Sequence, residues 1–155
     1  MMYSNALERK GYRKDVIEFF EPYYNISADG TIRFPYHLNK QGVEAERVSN
    51  QRTFVPNSQG LWEAAGEIPI LVRNLFIFSS ALESLTFFHF YPNKLKTREQ
   101  LAIVSLGLVP GKTQVKYLQN KYPNAKVHLI FDSTILGKII DCKLALWFKN
   151  KDAQF

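Results

Sequence analysis

A single cysteine, Cys142, among 155 residues excludes an internal disulfide framework and agrees with a reducing compartment, so a cytoplasmic location is expected. No run of about eighteen apolar residues occurs, so neither a membrane-spanning helix nor a membrane partner is expected. The opening MMYSNALERKGYRKD has no apolar core, and no secretory leader is expected from it. Histidine is scarce as well. His37, His89 and His128 are far apart, show no metal-ligand spacing, and read as structural or exposed. Internal repeats and low-complexity tracts are absent. Acidic residues are outnumbered, 14 against 20 lysines and arginines, and the resulting net charge of +6 favours a polyanionic partner such as nucleic acid.

What is abundant is apolar and aromatic surface, at 46% and 14% of residues, enough for a packed core and too much for general disorder. Val16, Phe19 and Phe20 recur at helical spacing over Tyr12 to Phe20, and Pro22 ends that element. Asp29-Gly30 marks a turn, Thr31 to Tyr36 reads as a strand, and Asn39 to Gly42 reads as a hairpin loop returning through Val43 to Val48. Arg52 to Val55 is a third short strand. Residues 1–66 are therefore expected to form a helix and a small antiparallel sheet.

Over 67–155 the pattern changes. Leu75-Phe76-Ile77-Phe78 and Ala102-Ile103-Val104-Ser105 are continuous apolar runs, the mark of strands covered on both faces. Val127 to Phe131 reads as a third strand, ending at Asp132. A helical pattern comes after each: Ala81, Leu82, Leu85 and Phe88; then Val115 and Leu118; then, after Gly137, Ile139, Ile140, Leu144, Trp147 and Phe148. Strand–helix alternation three times over predicts an α/β domain with a parallel sheet flanked by helices. Its functional crevice should lie beyond the carboxyl ends of the strands, at Ser79-Ser80, Ser105 to Gly107 and Asp132 to Gly137.

The order of these three segments resembles the Toprim domain of bacterial primases and topoisomerases, and similar modules occur in mobilisation proteins of mobile elements. In that family the first strand ends in glutamate with an acidic residue four positions later; here Ser79 and Glu83 occupy those places. Val104-Ser105-Leu106-Gly107 matches the second motif. In the third, Asp132 and Gly137 are kept while Thr134 stands at the second aspartate. Upstream, Arg33-Phe34-Pro35 with Gly42 and Arg47 is similar to the small β subdomain before Toprim in primases. The resemblance spans roughly Asp29 to Phe148.

It implies phosphoryl transfer assisted by a divalent cation, for which Mg²⁺ wants carboxylate and other hard oxygen ligands. A serine hydroxyl is neutral at pH 7 and a poor substitute. With Ser79 and Thr134 at degenerate catalytic positions, the expectation is a non-catalytic nucleic-acid-binding or accessory module for replication or mobilisation. No cofactor is expected; Asp132 and Glu83 are the weak candidates for Mg²⁺, and a surviving nucleotidyl-transfer or strand-cleavage enzyme is the first alternative. A protein-interaction domain is the second, and a replication or mobilisation protein is the expected partner. Asp132 also reads as a strand-end residue capping the segment after it, and Ser79 and Ser80 as helix caps. The backbone amides there suit a phosphate. Nucleic-acid contacts are expected from Arg33, Arg47, Tyr36, Lys112 and Lys138, with cross-strand salt bridging the competing role for the two arginines. Ser105, Gly107 and Gly137 are loop formers. Gly107 to Lys112 lacks the spacing of a nucleotide-binding P-loop. Cys142 reads as a packed thiol.

Overall fold

Alternation of Ile32, Phe34 and Tyr36 with Arg33 and Pro35 turns the first three inward and the last two to solvent, which makes strand β2 (Ile32–Leu38). The computed structural model describes residues 6–38, 41–49, 52–56, 60–132 and 134–149. Strand β1 (Asn25–Ile26), β2, β3 (Gln41–Val48) and β4 (Thr53–Phe54) form an antiparallel sheet in that order. Of the expected hairpin loop Asn39 to Gly42, residues 39 and 40 lie outside the described residues, and β3 already begins at Gln41. The pairing of β2 with β3 shifts between Phe34 and Tyr36, where Pro35 cannot donate to the ladder and a bulge takes up the extra residue. Two helices precede this sheet, α1 (Ala6–Arg9) and α2 (Lys14–Phe20).

The second sheet runs β5-β7-β6-β8, from β5 (Trp62–Ala65), β6 (Asn74–Phe78), β7 (Leu101–Ser105) and β8 (Lys126–Leu129). Strands β6, β7 and β8 are parallel; β5 pairs antiparallel with β7. Helix α3 (Ala81–Phe90) comes after β6, α4 (Lys112–Lys121) after β7 and α5 (Ile135–Phe148) after β8. The expected α/β class with a partly parallel sheet is present, together with the small antiparallel sheet. Strand β5 lies before residue 66 yet is hydrogen-bonded into this second sheet. The two sheets touch at a bridge in which His37 and Leu61 exchange backbone hydrogen bonds, both 2.9 Å long.

Each parallel strand splits its side chains between two cores. Phe76, Phe78, Leu101 and Ile103 face α2, α3 and the antiparallel sheet, where Phe20, Phe34, Trp62 and Phe88 interlock. Leu75, Ile77, Ala102 and Val104 face α4 and α5, against Val115, Leu118 and Leu144. Burial on both sides explains the unbroken apolar runs of β6 and β7. Each of the fully buried Phe20, Phe34, Phe78 and Phe88 contributes about 1.5–3 kcal/mol by leaving water. Strand β8 is an edge and only half-buried, and α5 buries fully only Gly137 and Leu144. Cys142, expected to be packed, is exposed on α5, because the apolar stripe of that helix passes it by. Among the described residues no helix is long and apolar enough to cross a membrane.

The chain runs from β6 outward to β7 on one side, then across to β8 on the other. That reversal is a topological switch point, and crevices in such sheets open there at the carboxyl ends.

Candidate functional site

At the mouth of the switch point stand two hydroxyls, those of Ser79 and Ser80. Ser80 caps α3, its Oγ accepting the Glu83 amide at 3.0 Å, as its position before the helix implies. Ser79 Oγ donates to Glu83 Oε2 at 2.6 Å, so the exposed Glu83 carboxylate is tied down on its own helix.

A second carboxylate reaches this mouth from Glu46, on β3 of the other sheet. The bulge at Pro35 leaves Glu46 facing inward opposite Phe34, with no exposed surface. Its carboxylate accepts the amides of Ala81 at 2.7 Å and Leu82 at 3.0 Å, and the Tyr36 hydroxyl at 2.8 Å. Tyr36 Oη lies 2.5 Å from Ser105 Oγ, which also accepts the Gly107 amide at 3.4 Å. Burial pushes the Glu46 carboxyl up, and the two amides and the phenol pull against that rise. Burial, with Glu46 beside it, raises the Tyr36 phenol. The amides expected to suit a phosphate therefore already hold a carboxylate of the chain. Tyr36, expected as a nucleic-acid contact, is buried and is part of this clasp.

Asp132 is engaged in a turn of its own. Its Oδ1 accepts the Thr134 amide at 3.1 Å and the Thr134 hydroxyl, while Thr134 Oγ1 accepts the Gly137 amide at 3.1 Å as the cap of α5. A Cβ on Gly137 would stand 2.5 Å from the Asp132 carbonyl oxygen, so glycine is required by close approach. The Asp-x-Thr-x-x-Gly spacing is in this way a complete turn-and-cap unit. Among the described residues no three of His, Cys, Asp and Glu come together as a metal-binding group, and Asp132 and Glu83 are each engaged locally.

A second buried acid, Glu63 of β5, ties the sheets to α4. It accepts from Tyr117 at 2.9 Å, from Tyr122, from Lys121 Nζ at 2.9 Å, and meets His37 Nε2 at 3.1 Å. Burial pushes this carboxyl up, and the hydrogen bonds from His37, Tyr122 and Lys121 more than reverse it, holding it at about 2.

The outer face of the antiparallel sheet is different in kind. Asn25 pairs with Arg33, Arg33 with Arg47, and Arg47 with Phe54, so one cross-strand row reads Asn-Arg-Arg-Phe. Asn25, Arg33 and Arg47 are exposed, and the Arg47 guanidinium sits 4.6 Å over the Phe54 ring. Neither arginine has a carboxylate partner among the described residues, so the competing salt-bridge role is not taken up. Lys112 and Lys138 are exposed at the starts of α4 and α5. Ser105 is buried in the Glu46 clasp, and Gly107 takes a φ of 79° just after β7. A separate apolar surface joins Leu108 and Val109 to Leu136 and Ile139, with Trp147 beneath.

No family model matches the chain, and neither a curated protein nor a solved structure matches it.

Proposed function

We propose that this chain is a Toprim-like module without catalysis of its own that binds nucleic acid and serves a replication or mobilisation assembly. The observation that carries the reading is the arginine row. Two arginines directly opposite each other on adjacent strands repel, and an anion bound across them would relieve that repulsion. A phosphodiester backbone supplies such charge, and the overall +6 steers it in. Hydroxyl-bearing Ser79 and Thr134 stand at the two degenerate positions, and Glu83, Asp132 and Glu46 are each taken up by hydrogen bonds from the chain itself, which supports a reading without magnesium-assisted transfer.

Fluorescence anisotropy with labelled single-stranded DNA tests this. Binding should be micromolar at about 50 mM salt and should weaken steeply as salt rises, because counterions are released from each neutralised phosphate. Arg33→Glu should abolish it. An absence of binding at low salt removes the reading. A second reading, a protein-docking domain, has its own support in the exposed Leu136 (65%) and Val109 (56%) beside Ile139. Light scattering with and without a candidate replication partner separates the two.

A further inference from the structure

Beyond the row itself, the sheet has a recess at its β3–β4 end, lined by Thr31, Arg47, Ser49, Arg52, Thr53 and Phe54 and of about 370 Å³. We propose that it seats one phosphate-bearing nucleotide unit, with the base laid on the Arg47–Phe54 stack and the phosphate held by Arg52 and the Thr53 hydroxyl. This rests on the nucleic-acid reading above and locates within it the place where a single unit is gripped.

The construction of the recess argues for it. Ser49 and Arg52 close a turn on each other: the Ser49 amide donates to the Arg52 carbonyl at 3.0 Å, and the Arg52 amide to Ser49 Oγ at 3.2 Å. These bonds fix the Arg52 backbone, and Arg52 is exposed. The Arg47 guanidinium lies 4.6 Å over the Phe54 ring, and Arg47 is exposed to solvent. A guanidinium presents paired donors that match a phosphate, and its plane also accepts a stacked base. Thr53 adds a hydroxyl donor; no carboxylate is among the described lining residues, and Asp29 at the rim is neutralised in part by the Thr31 amide, which it accepts at 3.0 Å. The volume falls within the roughly 300–1,000 Å³ of small-molecule sites.

Adenosine monophosphate, adenosine, inorganic phosphate and a short labelled oligothymidylate, titrated into the full chain and followed by amide chemical shifts and anisotropy, test the assignment. The monophosphate should shift the amides of Thr31, Thr53 and Phe54. It should bind at least about tenfold tighter than adenosine or phosphate, since only it engages both stack and fork. Arg52→Ala and Phe54→Leu should each weaken it about tenfold. Arg52 is exposed and Phe54 only half-buried, and unchanged circular dichroism of the variants verifies that the fold is kept. Oligonucleotide binding that Arg33→Glu abolishes but Arg52→Ala and Phe54→Leu leave intact overturns the recess and spares the broader reading. Monophosphate binding that depends on Arg52, without any oligonucleotide binding, keeps the recess for a free nucleotide and overturns the broader reading. Phosphate binding as tightly as the monophosphate overturns the nucleotide assignment, and no binding of any probe overturns both.

Discussion

The Glu46 carboxylate accepts the first amide of α3, that of Ala81, at 2.7 Å, although the two residues belong to different halves of the fold. A helix amino end is an anion site in waiting, through its free N–H groups and its dipole. Here the chain fills it from within. Replacing Glu46 by alanine leaves two amides and the Tyr36 hydroxyl unpaired in a dry interior, so Glu46→Ala should cost about 2–3 kcal/mol. Urea unfolding measures this. A variant as stable as the parent shows that water reaches the amides and that the clasp is ornamental.

Glu63 makes the stability depend on acid. Its carboxyl is held at about 2 against an ordinary 4.5, so the unfolded chain takes up its proton at higher pH than the native one does. The stabilisation is complete above 4.5 and is lost as pH falls from there toward 2, and its full size is about 3 kcal/mol. Glu46, raised by burial, has the opposite sign: native protein holds that proton longer, so this group weakens stability as pH rises from 4.5 through the raised value. Urea midpoints between neutral pH and pH 3 should fall in the parent and flatten in Glu63→Gln, because the variant has no proton to take up. Parallel slopes in both proteins rule Glu63 out as the source.

Much of this fold is written in local pattern. The runs at Leu75 to Phe78 and Ala102 to Ser105 announce doubly covered strands, and Ser80 before an apolar helical repeat announces a cap. Strand β5 escapes such reading because it is four residues long and carries Glu63 at its second position, where only partners from α4 and β2 make an acid tolerable. The expected nucleic-acid contact at Tyr36 fails for a reason the sequence already holds: three residues from Arg33 in a strand, it must point to the opposite face. Glu46 is harder. A strict alternation outward from Pro35 does not fix its side, because the bulge there changes the phase by one residue. The identity of its partners depends on α3 packing behind, which no local pattern contains.

At the third strand end, the aspartate-to-glycine spacing serves geometry. An added methyl at position 137 would meet the Asp132 carbonyl oxygen at 2.5 Å, and backbone cannot retreat as a side-chain tip can. Gly137→Ala should therefore cost about 1–3 kcal/mol, as overpacking does, despite the better helix propensity of alanine. Asp132→Asn, which keeps an acceptor for the Thr134 amide, should be nearly neutral. Thermal melts of both variants check the pair. A Gly137→Ala protein that melts higher means that the turn relaxes and that the spacing has no steric cause.

The arginine row sets stability against binding. Arg33 faces Arg47 across β2 and β3, and like charges directly opposite destabilise a sheet, by roughly 0.2–1 kcal/mol for a pair of this kind. Threonine at position 33 removes the repulsion and favours a strand, while Arg47 keeps its seat on Phe54. Arg33→Thr should therefore gain about half a kcal/mol in urea unfolding. The same substitution should lower affinity for single-stranded DNA and reduce the salt slope by about one, the loss of a single phosphate contact. Opposite movement of the two readings is the signature of a charge kept for a ligand. If Arg33→Thr instead loses stability, the arginine serves the fold, and the case for a nucleic-acid face on this sheet falls with it.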